Sequence, residues 1–492
     1  MVVLLNRQFQ PVPLELVDGN TTVLEYLRSI GLCGTKEGCA AGDCGACTAV
    51  VGSLNQEGGI DYKSINTCLA LACALDGKHL ISVEGLSDSD NDTLHPVQQA
   101  MVDCHGSQCG FCTPGFVMSL FAMYLNGEVA TRRNILSNLS GNLCRCTGYA
   151  PILDAGLQAL TNAKCNEPDF YLQHQQLIVR QLQVLQQNTS QQKNSKAAFY
   201  SPQTLEQLDD ILEQNPKARL IAGGTDLTLE ITQQLSTLAC VVDLKRIPAL
   251  QTIDTQQDRL TIGAAASLED SRQSLLAYFP QLENYLERFA SKPIRNWASL
   301  GGNIANASPI ADMPPVLLVL GAKLRLRTKA ASRTLELDDF YIDYKQTALA
   351  PDEYIVQIQL PALQANEQLV AYKISRRYED DISAVSVALK LTLKSYVPVN
   401  CRIAFGGMAA IPRRSTVVEN YVIKHWDSGI SFAQLFALIS QDFTPLDDVR
   451  ASAAYRLHTA ARLIEKAILK IQGVAVADLS DHQQSAQAHD EV

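Results

Sequence analysis

Cys39, Cys44, Cys47 and Cys68 form a C-x4-C-x2-C run with a fourth thiol further along, and Cys109, Cys112, Cys144 and Cys146 form a C-x2-C half and a C-x-C half. Only Cys240 and Cys401 of the fourteen cysteines lie beyond residue 165. The first spacing suits a [2Fe–2S] centre, so one-electron transfer is the chemistry these residue types point to. Gly38, Gly42 and Gly45 interleave with the first quartet, which lets the backbone close around a cluster and turn N–H groups to its sulfurs. Each half of the second quartet precedes an apolar-periodic stretch, with Pro114 and Pro151 just inside the expected helix starts. The thiols would then stand at helix N-termini, where free N–H groups and the positive dipole end favour the thiolate.

Four thiolates also satisfy tetrahedral zinc, for which C-x2-C is a common half-site. Two glycine-wrapped quartets with an x4 gap and a C-x-C half favour iron–sulfur over zinc. Met1 to Leu5 is apolar but has no basic flank and turns polar at Asn6, so no secretory signal is read and a reducing cytoplasm is expected. Disulfides are disfavoured for the same reason. The remaining cysteines (Cys33, Cys73, Cys104, Cys165, Cys240 and Cys401) read as small core hydrophobes.

The elements that must position these thiols can be read along the chain. At 492 residues and 47% apolar, it has length and core for three or four domains. The net charge of −10, with no basic block, argues against a nucleic-acid or anionic-membrane surface. No apolar run approaches a membrane-spanning length; the best, Val316 to Leu320, reads as a core strand or short helix.

Short strands are expected at Val2 to Leu5, Val12 to Val17, Thr48 to Leu54 and His79 to Val83, around a helix from Val23 to Ser29 opened by the capping box Thr22-x-x-Glu25. That mixture suits a β-grasp ferredoxin module over 1–86. Helical patterns at Pro96 to Cys104, Pro114 to Asn126, Thr131 to Asn138 and Pro151 to Ala163 suit a small helical bundle over 87–165. Glutamine dominates Gln173 to Lys196, read as a linker (166–196), partly helical around Leu177 to Leu185.

Beyond it the pattern is α/β over 197–370, with a helix near Thr204 to Glu213, strands at Arg219 to Ala222 and Val241 to Asp243, and a long helix before Ala290. Over 371–480 strands are expected at Ala384 to Leu393 and Arg402 to Gly407, then helices at Ser431 to Ser440 and Val449 to Leu469. A polar tail (481–492) closes the chain, with disorder expected after Asp478. The fold class is therefore multidomain α+β.

Leu220-Ile-Ala-Gly-Gly-Thr-Asp226 places Gly223 and Gly224 just after a strand and ahead of a helical stretch, where backbone N–H groups can converge on a pyrophosphate. Ser299-Leu-Gly-Gly-Asn303 supplies a second Gly-Gly turn, followed by Asn306, Ser308 and Asp312, whose carboxylate could accept from a ribose hydroxyl. Ordinary tight turns explain both segments equally well. No two glycines stand two positions apart, so the G-x-G of the Rossmann fingerprint and the P-loop are both absent, and any dinucleotide is held by another fold.

Gly34-Thr-Lys-Glu-Gly-Cys39 with Cys44 and Cys47, Gln108-Cys-Gly-Phe-Cys-Thr-Pro-Gly115, Cys144-Arg-Cys-Thr-Gly-Tyr149, and Ser299-Leu-Gly-Gly-Asn-Ile304 followed by Ser308-Pro-Ile-Ala-Asp312 closely resemble the xanthine dehydrogenase family of molybdenum hydroxylases. The resemblance covers almost the whole chain, excepting the glutamine-rich segment and the tail. It implies a β-grasp 2Fe–2S ferredoxin domain, a helical-bundle 2Fe–2S domain, an α/β FAD-binding domain of the vanillyl-alcohol-oxidase-like type, and a C-terminal domain like that of CO dehydrogenase flavoprotein.

Carried onto this sequence, the resemblance places FAD against Leu220, Ile221, Ala222, Gly223, Gly224, Thr225, Asp226 and Leu227, and against Ser299, Leu300, Gly301, Gly302 and Asn303. Phe289 falls near the isoalloxazine and Asp312 on the ribose side, and Leu349 and Lys373 match further flavin contacts. By themselves Phe289 reads as a core aromatic and Lys373 as a surface charge. Arg376 to Asp381 resembles the segment where NAD approaches the flavin, and also reads as a charged surface loop. Ser291 departs from the pattern, since many relatives carry glycine there.

The family hydroxylates its substrate at a molybdopterin centre, whose domains are expected on a second polypeptide, with no catalytic residue of hydroxylation on this chain. Gln108, otherwise a solvated polar residue, and Cys146 match positions facing that pterin, so the helical bundle is the expected docking surface. The implied route runs from purine hydroxylation on the partner through the 109/112/144/146 centre, then the 39/44/47/68 centre, to FAD and NAD. The alternatives are the equivalent subunit of an aldehyde or N-heterocycle hydroxylase, a free-standing electron carrier, or a zinc-stabilised binding module. The substrate, the choice of NAD or oxygen, and the number of heterodimers lie outside this sequence.

Overall fold

The computed structural model describes residues 1–14, 17–55, 57–87, 93–162, 169–187, 197–378 and 380–477. Cys165, the 166–168 and 188–196 parts of the expected linker, Glu379 and the tail from Asp478 lie outside the described residues. The chain divides into two compact units: Met1–Ala249 with Ser267–Glu269 and Ala290–Ser299, and Leu250–Ala266 with Asp270–Phe289 and Leu300–Val492.

The first unit opens with a five-stranded sheet in the order Val12–Pro13, Val2–Leu5, His79–Ile81, Thr48–Leu54, Ile60–Asn66, in which only Val2–Leu5 and His79–Ile81 run parallel. The helix Val23–Ser29 begins at the expected box: Thr22 accepts from the Glu25 N–H while Glu25 bonds back to the Thr22 N–H. The strand Ile60–Asn66 was not expected. Its signal is the Gly58-Gly59 turn that pairs it with Thr48–Leu54.

Four helices follow at Pro96–Asp103, Thr113–Leu125, Arg132–Leu139 and Ala150–Asn162, each within a residue or so of expectation. Thr113–Leu125 is buried on every side from Gly115 onward, so it forms the middle of the bundle. In the glutamine-rich segment the expected helix is present and is docked rather than free. Leu177 to Leu185 lies within the helix Gln175–Gln187, and Ile178, Leu182 and Leu185 join the core of the bundle at i, i+4, i+7 spacing. Glutamine is a good helix former, and three apolar side chains on one face suffice to dock the helix.

A three-stranded parallel sheet completes the unit, ordered Ala198–Tyr200, Cys240–Asp243, Arg219–Ile221. Its Phe199, Ile221 and Val241 share one apolar core with Val3, Leu5, Val23 and Leu80 of the ferredoxin-like sheet. The first part of the expected 197–370 domain therefore packs on the ferredoxin-like sheet within this unit.

The second unit holds an antiparallel five-stranded sheet (Ser332–Glu336, Lys323–Arg327, Tyr354–Pro361, Arg259–Gly263, Ile253–Thr255) and an antiparallel four-stranded sheet (Glu367–Ile374, Val385–Lys394, Val397–Gly406, Arg413–Arg414). The helices Thr416–His425, Phe432–Asp442 and Ala453–Ile471 cover the latter through Val418, Leu435, Ile439, Ile464 and Ile468. Met313–Leu320 is a fully buried helix that contains the run Val316 to Leu320 and ends on Gly321 at φ +77°. The single long helix expected before Ala290 is instead Leu268–Tyr278 followed by short turns, because Pro280 interrupts the hydrogen-bond ladder. Among the described residues no helix is long and apolar enough to cross a membrane.

Candidate redox and flavin sites

The loop between Val23–Ser29 and Thr48–Leu54 carries Cys39, Cys44 and Cys47, and Cys68 follows the strand Ile60–Asn66. The thiols approach in twos. Cys47 Sγ lies 3.3 Å from Cys68 Sγ, and Cys39 bonds with Cys44. The Cys44 thiol, with the N–H groups of Ala41, Cys44 and Asp43, holds Cys39 down to about 5 against the cost of burial, while Cys44 is pushed up. In the same way the Cys68 thiol lowers Cys47 and is itself raised.

The second quartet pairs as Cys112 with Cys144 and Cys109 with Cys146. Two thiolates for each of two irons is the demand of a [2Fe–2S] centre, whereas zinc takes all four at a single ion. The donor sets fit two such centres.

Helix N-termini do not favour the thiolate uniformly, contrary to expectation. Cys112, at the cap of Thr113–Leu125, is pushed up to about 12, first by burial and then by the Cys144 thiol. Cys144 is lowered: its burial is outweighed by the Thr147 hydroxyl, 3.2 Å from its Sγ, and by the N–H groups of Thr147 and Cys146. The described cysteines are all free thiols. Cys73 and Cys401 are buried, but Cys33 is exposed and Cys104 and Cys240 are half-buried, so the core reading fails at Cys33. It lies past the last turn of Val23–Ser29, between the half-buried Leu32 and Gly34, and its own side chain faces outward.

Close packing between the two thiol-bearing modules also depends on Asn142 and Ser119, which carried no signal in sequence. Asn142 Nδ2 donates to Gly45 O (3.1 Å) and Thr48 Oγ1 (3.2 Å), while its Oδ1 accepts from Ser119 Oγ at 2.7 Å. A Cβ on Gly45 would fall 2.3 Å from Gly141 O, and one on Gly115 would fall 2.2 Å from Gly45 O. Gly45, at φ +67°, therefore serves the contact as well as the cluster loop. Around the second quartet Cys109, Cys146, Phe111, Leu143 and Tyr149 are exposed. Gln108 is exposed beside them.

In the first unit, Gly223 and Gly224 take φ +117° and +75° immediately after Arg219–Ile221. A Cβ on Gly223 would stand 2.0 Å from Trp297 O. The buried Thr228 Oγ1 beside Gly224, Ser291 Oγ and Trp297 Nε1 lack a hydrogen-bond partner. Leu220 and Ala222 are half-buried and Ile221 is buried, while Thr225, Asp226 and Leu227 lead into the short helix Leu229–Thr232. Ser299 is buried. Ser291 sits at φ −71°, an ordinary value, so the departure from glycine strains nothing; the left-handed residue is its neighbour Ala290, at φ +53°.

In the second unit, Leu300, Gly301, Gly302 and Asn303 form the helix Leu300–Ala305 rather than the expected turn. Gly301 is required by packing, since its Cβ would fall 2.5 Å from Ala264 O. The buried Asn303 Oδ1 has no partner. The unsatisfied groups near Gly223 and Gly224 fit a polar ligand in the first unit, and the unpartnered Asn303 Oδ1 fits one in the second.

Asp312 is not an open acceptor. Lys373 Nζ and Ser383 Oγ both bond its carboxylate, the latter at 2.5 Å, and Tyr285 OH donates to its carbonyl at 2.6 Å. Lys373 is correspondingly buried, not a surface charge, because that carboxylate is its partner. Phe289 is buried and Leu349 half-buried. Arg376 and Arg377 are exposed, Arg377 pairs with Asp381 at 3.2 Å, and Tyr378 lies under the Arg288 guanidinium.

Four family descriptions match along this architecture: a 2Fe–2S iron–sulfur cluster binding domain over 6–75, a [2Fe–2S] binding domain over 82–157, an FAD binding domain in molybdopterin dehydrogenase over 193–363, and a CO dehydrogenase flavoprotein C-terminal domain over 370–471. The chain is thus an oxidoreductase component with two iron–sulfur domains and one FAD domain. It belongs to the molybdenum hydroxylase family, as an iron–sulfur/FAD part of it.

Xanthine dehydrogenase of Emericella nidulans is 35% identical over 88% of this chain, and xanthine dehydrogenase/oxidase of Rattus norvegicus 33% identical over 80%. The matches span 36% and 33% of those proteins, so the chain corresponds to about a third of their length. Among solved structures, quinoline 2-oxidoreductase from Pseudomonas putida 86 superposes with a TM-score of 0.51 at 25% identity, covering 57% of this chain and 99% of that one.

Proposed function

We propose that this chain is the electron-transfer subunit of a xanthine dehydrogenase. It would receive electrons from a molybdopterin centre on a partner polypeptide, where xanthine or hypoxanthine is hydroxylated towards urate, and deliver them to NAD. The observation that carries this reading is the graded exposure of the two thiol quartets within one unit: Cys109 and Cys146 are exposed, whereas Cys47 and Cys68 are buried. Leu69 and Ile294, the latter from the flavin-domain segment, pack on the buried pair.

When bound, the iron–sulfur groups supply single-electron steps and FAD pairs them for hydride transfer. The chain's own residues hold and insulate those groups. Cys109, Cys112, Cys144 and Cys146 hold the outer centre, and Cys39, Cys44, Cys47 and Cys68 the inner one. Gly223, Gly224 and Asn303 offer backbone and amide groups to FAD. Phe289, Asp312, Leu349 and Lys373 enter by resemblance alone, as do Arg376 to Asp381 for NAD. Gln108 and Cys146, close in sequence to the exposed Phe111, Leu143 and Tyr149, would face the partner. The domain limits 1–86, 87–165, 197–370 and 371–480 and a cytoplasmic location belong to the same reading.

The names of the relatives above 30% identity support xanthine as substrate. The likeness to a quinoline oxidoreductase favours a second reading, the equivalent subunit of an N-heterocycle hydroxylase. An anaerobic absorbance titration of the purified chain with NADH tests the acceptor: bleaching of flavin and iron–sulfur bands together is expected, and bands indifferent to NADH would remove NAD from the proposal. In the Cys146→Ser variant, electron paramagnetic resonance of the reduced chain should lose one of two iron–sulfur signals and keep the other.

A further inference from the structure

Two hydrogen bonds reach from the flavin-domain segment to the backbone of the first thiol quartet. Thr232 Oγ1, in the last position of the helix Leu229–Thr232, donates to Ala40 O at 2.8 Å. Gln233 Nε2, the next residue, donates to Ala40 O at 3.0 Å and to Cys39 O at 3.2 Å. All of these residues belong to the first compact unit. Ala40 is held at φ +49°, a left-handed conformation that an alanine adopts only when its surroundings impose it.

The consequence follows from peptide planarity. Ala40 C=O and Ala41 N–H are opposite edges of one trans peptide plane, so fixing the carbonyl fixes the direction of the N–H. That N–H points at Cys39 Sγ, with a nitrogen-to-sulfur distance of 3.4 Å. Donors on the carbonyl also polarise the peptide and strengthen its N–H as a donor. N–H bonds to the sulfurs of an iron–sulfur centre favour its more negative, reduced form and so raise its potential.

We propose that Thr232 and Gln233 are positioning residues for the first [2Fe–2S] centre, holding the Ala40–Ala41 peptide so that its N–H bonds the Cys39 sulfur and raises that centre's reduction potential. The inference rests on the iron–sulfur reading above. The flavin-domain segment thereby sets the potential of a centre whose ligands all lie in the ferredoxin-like module. Thr232 is half-buried and Gln233 exposed, so water can replace the amide more readily than the hydroxyl, and Thr232 carries the larger share.

The test is a redox titration of the full chain, purified anaerobically with its centres and followed by electron paramagnetic resonance; Cys146→Ser identifies the signal of the second centre. In Thr232→Val combined with Gln233→Leu, the first centre's equilibrium constant for reduction should fall several-fold, where tenfold corresponds to about 59 mV for one electron. The second centre should not move. Thr232→Ser, which keeps the hydroxyl, should retain the wild-type potential. An unchanged first potential with both signals intact, or an equal shift at both centres, overturns the inference and leaves the iron–sulfur reading standing. A wild-type chain without two iron–sulfur signals overturns both.

Discussion

The backbone N–H of Leu143 donates to the carbonyl of Cys44 across 3.0 Å, and the residue after Leu143 is Cys144. A member of the first thiol quartet is thus joined to a member of the second by one hydrogen bond and a short length of chain. The Asn142 side chain anchors the same segment on Gly45 and Thr48, so the register between the quartets is set by backbone contact.

Gly115→Ala should disrupt that register. Its Cβ would meet Gly45 O, a backbone atom that cannot rotate away. A cost of about 1–3 kcal/mol or more is expected from the overpacking. Thermal denaturation should show a lowered midpoint, and pulsed electron paramagnetic resonance a weaker magnetic coupling between the two centres. Full coupling with an unchanged midpoint would show that the contact is slack.

Gly223→Ala tests the first flavin loop. At φ +117° and with Trp297 O only 2.0 Å from the new Cβ, the loop must move to admit a methyl group. The variant should purify with its iron–sulfur absorbance and markedly less flavin than the wild type. Flavin content equal to wild type would remove this loop from the flavin site.

The buried Lys373–Asp312 pair predicts an asymmetry between single and double variants. Lys373→Met leaves the Asp312 carboxylate without its cation and should destabilise the second unit by about 3–5 kcal/mol in urea unfolding. Lys373→Met with Asp312→Leu removes both charges and should recover most of that loss. Equal losses would mean that Asp312 acts mainly through Ser383.

His79 gives the first unit an acid-sensitive step. Burial pushes its imidazole down from 6.5 to about 4, against a bond of 2.8 Å between Nε2 and Asn6 O that favours the proton. Nε2 donates to Asn6 O in the neutral ring, and the buried Nδ1 has no acceptor for a second proton. The unfolded chain therefore binds the proton first. The stability this residue contributes is complete above pH 6.5 and is withdrawn as pH falls towards 4, by roughly 3 kcal/mol at about 1.4 kcal/mol per pH unit. His79→Gln should flatten guanidinium unfolding between pH 7 and 4.5 relative to wild type; an identical slope in both would sink the assignment.

The helical bundle was legible nearly to the residue because its signals are local: Pro114 opens one helix, Thr131 caps another, and the apolar periods are long. The strand Ile60–Asn66 was missed because Asp61, Lys63 and Ser64 disguise a largely buried strand whose partner lies across a turn. In the glutamine-rich segment the helix around Leu177 to Leu185 was legible, but composition hid that Ile178, Leu182 and Leu185 dock it on the bundle core. Ser299 to Asn303 was misread as a turn because a glycine required by close packing against Ala264 looks, in sequence, like one required by a turn.

By itself the sequence determined the thiol quartets, their glycines, the absence of a G-x-G loop and the order of the modules, since spacing and local propensity are properties of contiguous chain. Only the tertiary structure decided that Asn142 anchors one cluster loop, that Thr232 and Gln233 hold the peptide beside Cys39, and that Lys373 is buried against Asp312. Those residues act on groups 61 to 194 positions away in the chain, where a short polar side chain has no periodicity to announce it. Their partners exist only once the apolar cores have brought the segments within hydrogen-bond reach.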